Sequence, residues 1–187
     1  MSWARRHDRT VRWLINKFLP HESPIIGAEI GVYQGKLSLS LLQTFPNLHM
    51  HLVDIWKEVA PDSDYWKSND AAAIKSGKQW QENKRQTLAR TEAYKERRTV
   101  WHCDSIEAAS SLKEKLDFIF IDAEHTKTGV ARDISLWWPF MKKSGLFCGH
   151  DYDAPLFPGV KEAVDEFAES HSLKVSVGPG WVWWFRT

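Results

Sequence analysis

The chain has 187 residues, 25 basic and 24 acidic side chains, and a formal net charge of +1. This balance gives no reason to expect nucleic acid or an anionic membrane as a partner, so we expect a small-molecule ligand. No apolar run approaches the roughly 20 residues that span a bilayer. The N-terminal residues also lack the apolar segment of a secretion signal. We therefore expect a cytoplasmic protein.

Helical and strand-like patterns alternate along the chain. Apolar residues spaced as on one face of a helix occur at 8–19, and Pro20 ends that pattern. Short apolar or β-branched runs predict strands, and they lie at 24–32, 48–55, 99–104, 116–122 and 145–151. The intervening segments predict helices at 36–45, 79–97, 105–115 and from about 130 through Met141.

The C-terminal part predicts one more helix and a hairpin. Val160, Val164 and Phe167 share a helical face, and two strand-like runs then flank the turn at 178–180. Strands alternating with helices require a mostly parallel sheet covered on both faces, with the hairpin adding antiparallel strands at one edge. We predict an α/β fold with a mostly parallel seven-stranded sheet.

We predict one domain over residues 1–187, with a helical N-terminal segment at 1–23. The longest insertion between strands, residues 56–98, is a candidate lid over a substrate, because long loops in compact domains are often functional. Its aromatic residues include Trp56, Tyr65, Trp66 and Trp80. A solvated helix face with a local aromatic cluster is the alternative interpretation.

Polar residues follow each of the five predicted parallel strands. Ligands of such sheets bind at the carboxyl ends of the strands. The residues at these ends are Glu29, Gly31 and Gly35, then Asp54, then Asp104 and Ser105, then Asp122 to His125, and finally His150 and Asp151. Acids or histidines at all five ends favour a binding site there over ordinary polar loops.

The glycine loop indicates which kind of ligand to expect. Gly27, Gly31 and Gly35 are spaced four residues apart, unlike the G-x-G-x-x-G pattern that cradles a pyrophosphate. This spacing leaves room for a ligand without phosphates. Asp54 ends the next strand, where an acid is placed to accept both hydroxyls of a ribose. A solvated loop acid or a helix cap is the alternative role for Asp54.

Six motifs extend these observations, namely EIGVYQG, LVDIW, CDS, FIDAEH, DISLWWPFMKKSGLFCGHDY and GVKEAVDEF. In this order they resemble the class I S-adenosylmethionine-dependent methyltransferases, in particular the small-molecule O-methyltransferase branch called family 24. The resemblance covers residues 27–185 and implies a Rossmann-like fold with S-adenosylmethionine as cofactor. The cofactor-binding residues that it implies are Glu29, Gly31, Tyr33, Gly35, Asp54, Ile55, Asp104, Ser105 and Asp122.

The resemblance also implies catalytic residues. Transfer from a methyl sulfonium to a hydroxyl needs an aligned acceptor and removal of a proton. The candidate catalytic residues are Asp122, His125 and His150. His125 occupies the place of a basic residue that takes the hydroxyl proton in catechol-type relatives. In those relatives a divalent metal binds at the positions of Asp122, His150 and Asp151.

The sequence departs from the related pattern at two positions. His150 stands where the relatives carry a carboxylate, and magnesium prefers hard oxygen ligands. The open alternatives for His150 are a manganese, iron or zinc ligand, a base that works without metal, or a backbone-bonded structural residue. Lys127 replaces an aromatic residue and so changes one wall of the expected acceptor pocket.

We therefore predict a methyltransferase that acts on a hydroxyl of a small molecule such as a sugar or a phenol. A divalent metal is a candidate second cofactor. The alternatives are a nucleotide-dependent oxidoreductase on a similar sheet and a non-catalytic cofactor-binding protein. The sequence favours no particular oligomeric state.

Overall fold

The computed structural model describes residues 7–20, 22–68 and 70–187. Seven strands form one sheet in the order β3-β2-β1-β4-β5-β7-β6. The strands are β1 (Ile25–Ile30), β2 (Leu48–Val53), β3 (Arg98–Trp101), β4 (Leu116–Ile121), β5 (Met141–Gly149), β6 (Ser176–Gly178) and β7 (Val182–Arg186). Strands β1 to β5 are parallel, and β7 is antiparallel to both β5 and β6. The predicted α/β fold and its C-terminal hairpin are confirmed.

Helices cover both faces of the sheet. They are α1 (His7–Phe18), α2 (Lys36–Thr44), α3 (Asp64–Lys67), α4 (Gly77–Arg90), α5 (Ser105–Ser111), α6 (Lys127–Trp137) and α7 (Pro158–Ser170). Helices α1, α2 and α4 contribute to one apolar core, and α5, α6 and α7 contribute to the other. Strands β1, β2 and β4 and the carboxyl half of β5 are therefore largely buried and give the loops at their carboxyl ends a rigid base, whereas the edge strand β3 is half-buried.

The centre of the sheet is where the strand order reverses. Strand β1 pairs with β2 on one side and with β4 on the other, so chain connections from β1 and β4 run in opposite directions across the sheet. Such a reversal opens a crevice at the carboxyl ends of the two central strands. Gly27, counted with the glycine loop in the sequence, lies inside β1 instead. A Cβ there would lie 2.0 Å from Cε1 of Phe118, so this glycine makes room for a core ring.

Three predicted helices end earlier than expected. The helix predicted at 105–115 ends at Ser111. Helix α6 stops at Trp137, a short 3₁₀ turn follows at Trp138–Phe140, and Met141 begins β5. Pro139 accounts for this end, because a proline lacks the N–H that would continue the helix. The helix predicted at 79–97 ends at Arg90 and is followed by a 3₁₀ segment at Glu92–Arg97.

The long insertion has two parts with different structure. Residues 57–76, which we call the connecting segment, have the short helix α3 as the one helix or strand among their described positions, 57–68 and 70–76. Helix α4 instead joins the core, with Trp80 only 8% exposed and Thr87 fully buried.

The N-terminal segment also packs on the sheet. Val11, Leu14 and Ile15 of α1 are fully buried, whereas residues 1–6 of the predicted segment 1–23 lie outside the described residues. Among the described helices, none combines the length and the apolarity needed to cross a bilayer.

Candidate active site

The loop after β1 is held against the end of β4. Gly31 has a φ of 90°, and a Cβ there would lie 2.1 Å from the carbonyl oxygen of Asp122 and 2.7 Å from Cα of Ala123. Gly35 has a φ of 68° and precedes helix α2. A Cβ at Gly35 would lie 2.9 Å from Cγ2 of Thr87 on α4. Both glycines are required by backbone conformation and by close approach.

Asp54 joins the ends of β1 and β2. Its two carboxylate oxygens accept hydrogen bonds from the backbone amides of Tyr33 and Trp56, each at 2.7 Å. The indole N–H of Trp56 donates to the carbonyl of Tyr33 at 2.8 Å, which fixes the two loops to each other. Burial outweighs the amide hydrogen bonds and raises the pKa of Asp54 to about 6. The carboxyl group of Asp54 is therefore ionised at neutral pH. It lies at the edge of the crevice.

A cleft of about 510 Å³ lies beside Asp54, between the ends of β2 and β3. Its lining consists of Ile55, Trp56, Lys57, Glu58, Gly77, Gln81, His102, Cys103, Asp104 and Glu107. The structure thus brings the predicted residues Ile55 and Asp104 together. Ser105, the other predicted residue at this end, is not among the described lining residues. Its hydroxyl accepts a 2.8 Å hydrogen bond from the indole of Trp137 on α6.

Glu29 lies under the glycine loop rather than in the cleft. The residue is 3% exposed, and its carboxyl group accepts a hydrogen bond from the Ser38 hydroxyl on α2. Burial, opposed by that hydrogen bond, raises the pKa of Glu29 to about 8. A positively charged ligand group nearby would favour the ionised form, because opposite charges lower the pKa of a carboxyl group.

Four polar residues meet at the carboxyl ends of β4 and β5, and we call Asp122, His125, His150 and Asp151 the His/Asp cluster. His125 Nε2 lies 3.2 Å from an oxygen of Asp122 and 3.2 Å from an oxygen of Asp151. His150 Nδ1 lies 3.2 Å from Asp151 and 3.6 Å from Asp122. Asp151 adopts a φ of 62°, which turns the chain sharply after β5. All four predicted residues are therefore in mutual contact.

The charges of the His/Asp cluster stabilise one another. Burial alone would lower the pKa of each histidine. Hydrogen bonds to Asp122 and Asp70 outweigh it for His125, Asp122 and Asp151 outweigh it for His150, and the pKa of each histidine is raised to about 10. Burial alone would raise the pKa of Asp122, but the histidine charges and hydrogen bonds lower it well below its usual range. In the free protein near neutral pH, the cluster therefore pairs two protonated imidazoles with the ionised Asp122.

A second candidate set of metal ligands stands beside the predicted one, in which His150 Nδ1 lies 3.2 Å from Asp151 and 3.6 Å from Asp122. One ligand atom each from Asp122, His125 and Asp151 lie within 4.8 Å of one another, whereas the sequence predicted Asp122, His150 and Asp151. Two carboxylates and one imidazole are a donor set that suits manganese, iron or zinc better than magnesium. The Nδ1 atom of His125 is already bonded to a carboxylate, as is typical of metal-binding histidines, so these residues fit a divalent cation.

Sequence analysis missed three residues that contact the His/Asp cluster. The first is His7 on α1, whose ring centroid lies 4.8 Å from that of His150. Asp70, in the connecting segment, lies 2.7 Å from His125 Nδ1, and the Phe157 ring stacks on the imidazole at a centroid distance of 4.4 Å. Asp70 and His125 are 55 positions apart, and no local pattern distinguishes Asp70 from other acids of a polar stretch. Aromatic stacking at Phe157 likewise depends on tertiary contacts.

Fold and site together define a Rossmann-like methyltransferase. The strand order places a glycine loop after β1, an acid after β2 and a polar cluster after β4 and β5, around one crevice. A family model described as a methyltransferase domain of family 24 matches residues 28–152. The chain therefore belongs to this family of S-adenosylmethionine-dependent methyltransferases. This assignment replaces the oxidoreductase alternative.

Solved structures of similar fold include three methyltransferases. The O-methyltransferase NovP aligns with a TM-score of 0.70 at 13% identity, covering 96% of this chain and 78% of that chain. The calicheamicin methyltransferase CalS11 aligns with a TM-score of 0.69 at 13% identity, covering 96% and 77%. An O-methyltransferase from Bacillus cereus in complex with SAH gives 0.64 at 12% identity, covering 97% and 80%. A sequence search of curated proteins finds no match.

Proposed function

We propose that the protein transfers a methyl group from S-adenosylmethionine to a hydroxyl oxygen of a small molecule bound at the His/Asp cluster. The position of Asp122 carries this proposal. Its backbone carbonyl lies against Gly31 of the glycine loop, while its carboxylate contacts His125. One residue thus joins the cofactor loop to the polar cluster, so a methyl donor held by that loop lies next to groups that can orient an acceptor.

The cofactor side is assigned from the loop and the cleft. Asp54 would accept the ribose hydroxyls, and the cleft lined by Ile55 and Asp104 would hold the adenine. Its volume of about 510 Å³ falls in the usual range for small-molecule sites. Tyr33 and Gly35 would set the conformation of the glycine loop. The Glu29 carboxylate would attract the positively charged part of the ligand. Bound S-adenosylmethionine supplies an activated methyl group. The residues on the acceptor side then have only to align the hydroxyl and remove its proton.

The acceptor side must align a hydroxyl and remove its proton. We assign Asp122, His125 and Asp151 to this task because their polar atoms converge. His150 borders the same carboxylates and would help hold the site's charge balance. A divalent cation bound by the three converging residues would lower the pKa of the acceptor hydroxyl. Without a cation, a cluster carboxylate would accept the hydroxyl proton as general base, while His125, protonated in the free protein, would orient the hydroxyl as a hydrogen-bond and proton donor.

Sugars and phenols are the acceptor classes that we propose. A cluster of two carboxylates and two imidazoles offers both hydrogen-bond donors and acceptors, which suits a molecule with neighbouring hydroxyls. CalS11 is described as a TDP-rhamnose 3′-O-methyltransferase, which is a sugar-hydroxyl activity of that protein. Its similar fold supports the inclusion of sugar nucleotides among the acceptors to be tested here.

A methyl-transfer assay tests the proposal. The purified protein is incubated with methyl-labelled S-adenosylmethionine and a panel of sugar nucleotides and catechols, each paired with an analogue whose hydroxyls are already methylated. We expect transfer to a free hydroxyl and none to the blocked analogue. Failure to methylate any hydroxyl, or equal labelling of both analogues, would overturn the proposal. Parallel reactions with chelator and with added manganese decide between the metal-assisted and metal-free routes.

A further inference from the structure

We propose that Asp70 is a positioning residue for His125, so that the connecting segment, residues 57–76, belongs to the catalytic apparatus. The inference rests on the proposed function, because it assigns a role to a residue that orients the acceptor site. Asp70 does not contact the cleft or the reacting groups directly. Its effect would pass through the imidazole of His125.

The contact between Asp70 and His125 is short and shielded from water. Asp70 Oδ2 lies 2.7 Å from His125 Nδ1, and the side chains are 7% and 14% exposed. The Nδ1–H group of the imidazole donates to this carboxylate. A carboxylate that binds one ring nitrogen sets the orientation of the other.

Asp70 is held in place by groups other than His125. Its Oδ2 atom also accepts a 3.0 Å hydrogen bond from the Tyr65 hydroxyl, and its Oδ1 atom accepts a 2.7 Å bond from the backbone amide of Ala72. These two hydrogen bonds hold the Asp70 carboxylate in its orientation independently of the contact with His125. The Phe157 ring stacks on the His125 ring, with an interplanar angle of 19°.

These constraints present one nitrogen of His125 to the reaction site. With Nδ1 bonded to Asp70, Nε2 lies 3.2 Å from both Asp122 and Asp151. The same orientation serves a proton-transferring imidazole and a metal-binding one. Asp70 therefore has the same positioning role in both routes of the proposed function.

The connecting segment also joins the two halves of the site. Glu58 accepts a hydrogen bond from the backbone amide of Gly77, and both residues line the cofactor cleft. Between these two residues the chain extends to Asp70 at the His/Asp cluster. The segment therefore has its ends at the cleft and its middle at the imidazole.

The chain offers a matched control, a contact between an acid and an imidazole that lies away from the site. Glu114 lies 3.2 Å from Nε2 of His51, a residue that is 4% exposed, and Trp101 donates to Nδ1 of the same ring at 2.9 Å. This pair also joins an acid to a buried imidazole on β2, but neither residue lines the cleft or contacts the His/Asp cluster. Glu114→Gln should therefore affect stability without affecting turnover.

The experiment compares Asp70→Asn with Glu114→Gln in the full chain. We expect Asp70→Asn to lower kcat by about 10- to 100-fold, as is typical when the partner of a functional histidine is replaced. KM for S-adenosylmethionine should stay within about twofold, because the cofactor contacts are intact. Glu114→Gln should leave both constants within about twofold. A kcat for Asp70→Asn no lower than that of Glu114→Gln would overturn the inference.

A second readout separates this inference from the proposed function. In protein labelled with ¹⁵N-histidine and saturated with S-adenosylhomocysteine, Asp70→Asn should shift the His125 ring-nitrogen signals, whereas Glu114→Gln should not. Unchanged His125 signals would overturn the positioning role even if methyl transfer is observed. If no hydroxyl acceptor is methylated, the proposed function fails, but the ring signals still decide the role of Asp70.

A milder variant keeps the test valid if Asp70→Asn fails to fold. Tyr65→Phe removes one hydrogen bond to Asp70 and retains the carboxylate and its bond to Ala72. We expect a loss in kcat of about two- to fivefold, corresponding to one ordinary hydrogen bond, with KM for S-adenosylmethionine unchanged. Wild-type kcat together with unchanged His125 signals in this variant would also contradict the inference.

Discussion

The cofactor cleft and the His/Asp cluster lie at the same edge of the sheet but are built in different ways. The cofactor side depends on backbone features near strand ends, such as the positive φ of Gly31 and the two amides bound by Asp54. The His/Asp cluster depends on side chains from the loops after β4 and β5 and is contacted by Asp70 of the connecting segment. Substitutions on the cofactor side should therefore affect cofactor binding. Substitutions in the His/Asp cluster should affect turnover.

Gly31→Ala should have the largest effect on the cofactor side. The new Cβ would lie 2.1 Å from the Asp122 carbonyl oxygen at a φ of 90°, so the loop must move. We expect a loss of about 3 kcal/mol or more in the free energy of unfolding, from strain and overpacking together. Binding of S-adenosylhomocysteine should become undetectable. Chemical denaturation and calorimetry measure the two effects.

Gly178→Ala is the matched control for the loop variant. Its Cβ would lie 3.2 Å from side-chain atoms of Thr10 and Trp184, and no positive φ is required there. We expect a change of less than about 1 kcal/mol and unchanged affinity. Equal effects of the two glycine variants would refute the special role of the loop.

Asp151→Asn tests the other half of the comparison. Asparagine tolerates the left-handed backbone of this residue, so the variant removes the charge and keeps the turn. We expect kcat to fall by about 100-fold or more, in the range lost when an acid–base or metal-binding group is removed. Affinity for S-adenosylhomocysteine should remain unchanged. A reduced affinity with unchanged kcat would place Asp151 on the cofactor side instead.

Asp54→Asn should weaken cofactor binding. An asparagine has one acceptor oxygen, so one of the amides of Tyr33 and Trp56 loses its partner, and the ribose loses an anionic acceptor. We expect affinity for S-adenosylhomocysteine to fall by about 10- to 100-fold, equivalent to one or two charged hydrogen bonds. Calorimetry gives the dissociation constant.

Asp117→Asn is the matched control for Asp54→Asn. Asp117 also accepts a hydrogen bond from a backbone amide, that of Ile26, but it lies near the amino ends of the central strands. The affinity of the Asp117→Asn variant for S-adenosylhomocysteine should equal that of the wild type. Equal weakening in both variants would show that the effect is not specific to the ribose site.

The pH dependence of binding should be the smallest effect. Burial raises the pKa of Asp54 to about 6, so a proton competes with the cofactor below that pH. Affinity for S-adenosylhomocysteine should therefore rise about tenfold from pH 5 to pH 7. The same raised pKa should lower the stability of the free protein as the pH rises from about 4 to about 6, because the unfolded chain ionises first. Persistence of the full affinity change in Asp54→Asn would exclude Asp54 as its source.

Local patterns predicted the fold and the place of the glycine loop and of Asp54 at strand ends. Strand β1, which contains Glu29 and ends just before Gly31, is recognisable from its apolar residues, and Asp54 follows β2 directly. The positions of these residues follow from the local sequence and from the parallel arrangement of the strands. Local periodicity failed at Met141, where Pro139 had already ended the helix.

Tertiary contacts explain what the sequence did not predict. Asp70 reaches His125 across 55 positions, and this contact turns Nε2 towards Asp122 and Asp151. His125 therefore joins Asp122 and Asp151 in a second candidate set of metal ligands, and the predicted set with His150 stays a prediction. The catalytic and ligand-binding roles of these residues stay predictions until turnover and binding are measured.

The most direct test of this division is a calorimetric titration of the wild type and of Asp151→Asn with S-adenosylhomocysteine. We predict one site per chain and equal affinity in the two proteins, since Asp151 belongs to the acceptor side. No binding by the wild type would contradict the cofactor assignment. Binding that is lost in Asp151→Asn would contradict the separation of the two halves.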